Sequence, residues 1–234
     1  TVDGISIQKT VELRPASVDL IWQSGGFVPP FYKGKTLFAH QDRITFIAIP
    51  HIVGSKGAEI SSGSLLFKWT LNGKVIDSAS GYAKNAYTLS GSLISRPLEV
   101  EVEVSSPNGG TTGYARTTVS PTDPFIVFYK KDPLYGIEFQ NALSGTENLL
   151  SKEMAIIGVP FFFDTTNLYS GLMYKWSING APIDSDFSQP IRIFRNNDDT
   201  PGTSNIGLSI EHSNKILQFS SSNFNLTFNG SGGQ

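Results

Sequence analysis

Along most of this chain, apolar and polar residues alternate with a period of two. In Phe67-Lys68-Trp69-Thr70-Leu71 the apolar residues share one face, and Lys68 and Thr70 share the other, as in a half-buried strand. Leu98-Glu99-Val100-Glu101-Val102-Glu103-Val104 alternates without interruption. Asn72-Gly73 follows the first segment at once, and that dipeptide supplies the positive φ angles of a tight hairpin. Pro107-Asn108-Gly109-Gly110 and Asp199-Thr200-Pro201-Gly202 mark turns between further strands. The pattern predicts strand almost throughout, with one short helical turn near Glu147 to Glu153 as the exception.

The pattern also recurs. Phe67-Lys68-Trp69-Thr70-Leu71-Asn72-Gly73 returns as Tyr174-Lys175-Trp176-Ser177-Ile178-Asn179-Gly180, and Ile206-Gly207-Leu208-Ser209-Ile210-Glu211 answers the Glu/Val strand. The two tryptophans lie 107 residues apart, a domain's length and too long for a solenoid repeat. Leu20-Ile21-Trp22 matches Val127-Phe128-Tyr129, and Ile44-Thr45-Phe46-Ile47 matches Met154-Ala155-Ile156-Ile157, at nearly the same offset. The small slippage falls where loops would absorb it. Two copies of one unit are expected, 1–121 and 122–234, with the boundary in Ser120-Pro121-Thr122-Asp123-Pro124 and a flexible tail at 229–234. Two prolines so close together stiffen the linker. Val11-Glu12-Leu13-Arg14-Pro15 would supply the opening strand.

The Tyr/Phe-x-Trp-x-Leu/Ile-Asn-Gly signatures at 67–73 and 174–180, with the strand at 98–104, resemble the cysteine-free immunoglobulin-like (Ig-like) and PKD-like modules strung along bacterial surface proteins. The PKD pattern continues from its Trp into an acidic, Gly-rich turn, and this chain departs from it there. The resemblance implies an all-β chain of two tandem Ig-like β-sandwich domains arranged end to end, with Trp69 and Trp176 as structural cores. It implies nothing about chemistry. Some such domains are closed by a Lys-to-Asn isopeptide bond beside a buried acid; Lys68 and Lys175 alternate outward with solvent, and the sequence neither supports nor excludes one.

Composition narrows the classes. Charged residues make up 16% of the 234, and the 18 basic residues are dispersed under a net charge of −2, so nothing calls for nucleic acid. The balance is that of extracellular β-proteins. Cysteine is absent, which removes disulfides and thiolate metal sites. The longest apolar stretch, Met154 to Phe163, is about half of the roughly 20 residues a membrane span needs. Thr1 reads as a mature or trimmed terminus.

Candidate chemistry is sparse, and no catalytic, cofactor or metal residue is assigned. His40, His51 and His212 stand in no ligand spacing. Asp184-Ser185-Asp186 with Asn196-Asn197-Asp198-Asp199 could offer oxygen ligands to Ca²⁺, although Asp77, at the place matching Asp184, has no second acid nearby. Asn and Asp are also common in turns for backbone reasons. Asn225 and Asn229 fit the N-glycosylation pattern. Gly232-Gly233-Gln234 is a coincidental match to a peptide-release motif. Phe27, Phe31 and Tyr32 around Pro29-Pro30, and Phe161-Phe162-Phe163, are candidates for an interaction surface or for packing, because flat rings stack on sugars and anchor interfaces. Three consecutive phenylalanines cannot all point inward on a strand, so at least one should face solvent or a neighbour.

The functional expectation is a non-catalytic extracellular or cell-envelope module acting as stalk, scaffold or adhesin, without cofactors, with a protein or glycan partner and a membrane reached only through a segment outside this chain. A carbohydrate-binding region of a secreted enzyme and a structural subunit of a surface appendage or capsid are the alternatives.

Overall fold

The computed structural model describes residues 16–54, 57–94, 96–183, 186–197 and 200–228. The opening strand expected at 11–15 and the tail at 229–234 lie outside the described residues. By its contacts the chain divides into two compact units. One gathers the chain up to Trp22 with Thr45–Tyr87 and Leu98–Val119; the other gathers Gln23–Ile44, Thr88–Pro97 and the chain from Ser120 onward. The last crossing falls at Val119/Ser120, beside the proline pair, and earlier crossings lie within 1–121. Their cause is visible in the loop from 25 to 42, whose Phe27, Val28 and Ala39 pack on Ile157, Val159, Phe161 and Phe162.

In chain order the strands begin β1 (Ala16–Ser24), β2 (Arg43–Ile52), β3 (Leu66–Leu71), β4 (Lys74–Val75), β5 (Gly81–Tyr82), β6 (Ala86–Ser90), β7 (Leu98–Ser105) and β8 (Thr112–Val119). They form a β1-β2-β6 sheet and a β4-β3-β7-β8 sheet, with β5 also on β3. The alternation in β7 buries Val100, Val102 and Val104. Its glutamates line the other face, where Lys68 approaches Glu103 at 3.7 Å and Arg116 pairs with Glu99 and, at 3.3 Å, with Glu101. Aromatic rings bridge the sheets: Phe46 of β2 stacks on Tyr87 of β6 at 6.4 Å, and Tyr87 lies 5.9 Å from Trp69 of β3.

The chain continues as β9 (Phe125–Asp132), β10 (Gly136–Leu143), β11 (Thr146–Leu149), β12 (Glu153–Phe161), β13 (Leu172–Ile178), β14 (Ala181–Pro182), β15 (Ile191–Arg195), β16 (Gly202–His212) and β17 (Phe219–Phe228). The sheets are β10-β9-β12-β15 and β11-β17-β16-β13-β14. The helical turn expected near Glu147 is instead β11, which runs parallel to β17 with Thr146 opposite Asn225 and Leu149 opposite Phe228. A single helical turn is costly to nucleate, whereas β11 gains a ladder and buries Leu149. Between the sheets, Phe128 packs on Trp176 and Phe224 at 5.9 and 4.9 Å, and Trp176 on Phe194 at 5.9 Å. β12 is apolar on both faces: Ile156 joins this core, while Ile157, Val159 and Phe161 face the cluster under the 25–42 loop. Both units are Ig-like β-sandwiches in tandem, and the fold is all-β. Among the described residues no helix is long and apolar enough to cross a membrane.

The repeated signature has one structural role in each unit. Trp69 and Trp176 are fully buried, and their indole N–H groups donate to the carbonyls of Lys84 at 2.9 Å and Gln189 at 3.1 Å. Asn72 and Asn179 both take φ of 49°, followed by Gly73 at 77° and Gly180 at 79°, the two positive φ values of a type I′ turn. The chain then returns so that Ile76 N–H reaches the Trp69 carbonyl at 2.9 Å and Ile183 N–H reaches that of Trp176 at 3.2 Å.

Candidate functional site

The aromatic residues singled out from sequence separate into buried and open groups. Phe161, Phe162 and Phe163 are all buried, so none of them meets solvent. The strand alternation ends because Phe162 takes φ of 67°; Phe161 and Phe162 then lie on one side of the sheet and Phe163 joins the core on the other. Their neighbour is the 25–42 loop, which adds main-chain bonds from Phe27 N–H to the Phe163 carbonyl and from Phe162 N–H to the Phe27 carbonyl, both 2.7 Å. Phe27 is half-buried there.

Phe31 and Tyr32 remain open. Phe31 is 90% exposed at the tip of a turn in which Tyr32 N–H reaches the Pro29 carbonyl at 3.2 Å. The Tyr32 ring stands edge-on to Phe161 and Phe162, with centroids 5.7 and 6.1 Å apart. Phe125, which the sequence reading passed over, stacks on Phe161 at 4.9 Å and keeps 42% of its surface exposed. Tyr32 and Phe125 thus share a buried aromatic floor of Phe161 and Phe162, and Phe31 stands exposed next to Tyr32 in the chain. Phe125 opens β9 directly after Pro124, and that position was the signal available in sequence.

A second cluster was not found from sequence. Loops before β2, after β12 and between β16 and β17 meet around Lys215. Its ammonium pairs with the Asp164 carboxylate and donates to the Gln41 carbonyl at 2.8 Å. Gln218 is buried and holds both flanks, accepting Asp164 N–H at 2.8 Å and donating to the His40 carbonyl at 2.8 Å. Leu217 N–H reaches the Gln41 side-chain oxygen at 2.7 Å. His212 accepts Asn214 N–H on Nδ1 at 3.0 Å, so its Nε2 carries the proton and donates to the Asp164 carbonyl at 2.9 Å. Burial holds the His212 pKa below the ordinary imidazole range.

Asp42 completes this cluster. It is fully buried, accepts the Ser24 hydroxyl and, at 2.6 Å, the Arg43 N–H. Burial pushes its carboxyl up, against the opposing pull of those donors and of the Lys215 charge. Burial likewise lowers the Lys215 pKa, opposed by the Asp42 charge. Glutamine, lysine and aspartate scattered over 41, 42, 164, 215 and 218 carry no spacing that sequence alone could flag.

The other candidates resolve singly. His40 approaches Asp123 at 3.2 Å, and His51 stands between Asp19 and Glu59 at 3.3 Å from each. Asp184, Asp198 and Asp199 lie outside the described residues, while Asp186 closes a turn by accepting the Ser188 N–H and hydroxyl at 2.9 and 2.7 Å. Those donors hold its carboxyl below the usual range. Asn225 lies within β17 and accepts from the Asn205 amide at 3.0 Å; Asn229 and Gly232 to Gln234 lie outside the described residues. Lys68 and Lys175 each face a glutamate across the ladder, Lys175 at 2.6 Å from Glu211.

No protein-family model matches the chain. Among curated proteins it is similar to the hemagglutinin-neuraminidase of Newcastle disease virus strains, such as Chicken/United States(TX)/GB/48, with 28% identity over 141 residues, or 60% of this chain and 21% of the relative. The chain therefore matches about a fifth of the length of those relatives. Among solved structures it is similar to the three N-terminal domains of the bacteriophage RB49 Highly Immunogenic Outer Capsid protein, at 12% identity and a TM-score of 0.47, covering 92% of this chain and 59% of that one. The mouse nectin-like molecule 4 ectodomain gives 8% identity and a TM-score of 0.32, covering 96% and 69%.

Proposed function

We propose that the chain is a non-catalytic extracellular or cell-envelope module that acts as a stalk, scaffold or adhesin. One observation carries this reading: the repeated signature is used entirely in folding, because both tryptophans fill a core and both Asn-Gly pairs close a turn. What the two units share is a scaffold. The exposed rings of Phe31, Tyr32 and Phe125 supply the adhesive contact, to a protein or a glycan. Protease treatment of intact source cells tests the reading, with released fragments identified by mass. Fragments of this chain are expected in the supernatant, and protection until lysis would overturn it.

A carbohydrate-binding region is the second reading. It is favoured by the same exposed rings, since open rings stack on sugar faces, and the likeness to a hemagglutinin-neuraminidase adds to it. Glycan-array binding that is lost in Phe31→Ala would support it; an array without signal for the wild-type chain would remove it.

A further inference from the structure

We propose that the exposed ring of Phe31 docks on the outer face of the β1-β2-β6 sheet in a second copy of this chain, against Ile21, Ile47 and Ile49. The inference rests on the reading of Phe31 as an adhesive ring and names its partner.

Phe31 combines 90% exposure with φ of 68°, a backbone conformation disfavoured for a bulky side chain. Strain of that kind collects where a residue is held ready for contact. Pro29 and Pro30 precede it and fix their own φ angles, and the base of the loop is tied to Phe162 and Phe163 by the two main-chain bonds of 2.7 Å from Phe27. The ring is set in place before a partner arrives, which limits the freedom lost on binding.

The acceptor face is apolar and open. In β2, Ile44, Phe46 and Ala48 fill the core, so Thr45, Ile47 and Ile49 share the opposite face. In β1, Val18 is buried, which sends Asp19 and Ile21 the other way. Asp19 reaches His51 at 3.3 Å, so these residues of the two strands lie on one side of the sheet. Ile21 is 50% and Ile49 41% exposed, and Ile47 is half-buried.

The repeat shows what such a face takes up. Ile47 and Ile49 stand where the second unit has Ile157 and Val159. Those two are buried, packed with Phe27, Val28 and Ala39 of the 25–42 loop, whose tip carries Phe31. Charge agrees with the match. Exposed Asp19 and Glu59 stand on either side of His51, whereas Lys33 and Lys35 follow Phe31, and opposite charges across a contact steer its formation. Ring and acceptor face are different surfaces of one chain, so each contact joins unlike patches on two copies.

Sedimentation velocity of the full chain over a concentration series from about 1 μM to 1 mM tests this. Self-association of the wild type is expected, weakened at least about 30-fold in Phe31→Asp, the loss that accompanies a central aromatic anchor. Ile49→Lys is expected to act likewise from the other side, and Ile21→Lys serves where Ile49→Lys does not fold. Each variant keeps one intact surface, so a mixture of Phe31→Asp with Ile49→Lys is expected to form one-to-one pairs that neither forms alone. A wild type that stays monomeric throughout the series would overturn the inference, as would association unchanged in Phe31→Asp or a mixture that stays monomeric. A monomeric wild type whose Phe31 still binds a glycan would also overturn it, while leaving the adhesive reading of the ring in place.

Discussion

Asn179 and Asn205 are joined by two reciprocal bonds: Asn179 N–H donates to the Asn205 carbonyl at 2.8 Å, and the Asn179 side-chain oxygen accepts the Asn205 N–H at 2.8 Å. Asn72 and Glu99 repeat the arrangement at 2.8 and 2.9 Å. The Asn of each Asn-Gly pair therefore tolerates the left-handed turn and ties it to the neighbouring strand. Asn179→Ala should cost about 1–2 kcal/mol, since it forces a Cβ-bearing residue without the side-chain acceptor into that conformation. Asn179→Gly should recover part of the loss by relieving the backbone. Urea denaturation of both variants checks this, and equal stability of Ala and wild type would refute it.

Truncating Trp69 or Trp176 to Ala should cost about 3–5 kcal/mol, because each ring is buried and each indole N–H has a carbonyl partner. Calorimetry should show a marked loss in each variant. An unchanged melting curve for both would contradict the core assignment.

Gly26→Ala should destabilise by about 1–3 kcal/mol, the range for overpacking. A Cβ there would meet the Phe162 carbonyl oxygen at 2.8 Å and its Cα at 3.0 Å, and main chain yields less readily than a side-chain tip. Thermal melting that leaves Gly26→Ala at the wild-type midpoint would show that the loop does not sit against Phe162.

His212 predicts a pH dependence. Its folded pKa is lowered by burial, so between that value and the unfolded value of about 6.5 the unfolded chain binds more protons. The stabilisation from neutral His212 is fully present above about 6.5 and is lost as pH falls toward the folded value. Comparing wild type with His212→Gln from about pH 7 to 5 should show a steeper loss in the wild type. Parallel profiles would exclude the neutral-imidazole role.

Phe31→Ala should shift stability by no more than about 0.5 kcal/mol, as for an exposed side chain, while Phe161→Ala should cost about 3–5 kcal/mol. Paired denaturation curves measure the contrast. A large loss for Phe31→Ala would place its ring in packing and withdraw it from the proposed contact surface.

The strands were legible where one face is buried and the other wet, as in β3 and β7, because burial then writes a period of two into the chain. The repeat was legible because the Trp and the Asn-Gly turn do the same work twice. Phe161 to Phe163 were left between an interaction surface and packing, since alternation presumes a continuing strand and the positive φ at Phe162 has no sequence marker in a phenylalanine; all three are buried, two of them against the 25–42 loop. Glu147 suggested a helix because a four-residue strand is too short to display its period, and its parallel partner lies in β17. The Lys215 cluster was invisible because its members come from separate loops and each is an ordinary surface residue type.

The attachment of Gln23–Ile44 to the second unit bears on inheritance and excision. Duplication of a self-contained bead would leave each copy transferable by a single cut, yet the downstream copy here borrows a flap encoded upstream of its partner's signature tryptophan. A fragment starting at residue 122 would leave Ile157, Val159, Phe161 and Phe162 uncovered, and an apolar face of that kind invites aggregation. A cut at the proline pair would thus strip the downstream unit of the flap that covers its apolar face.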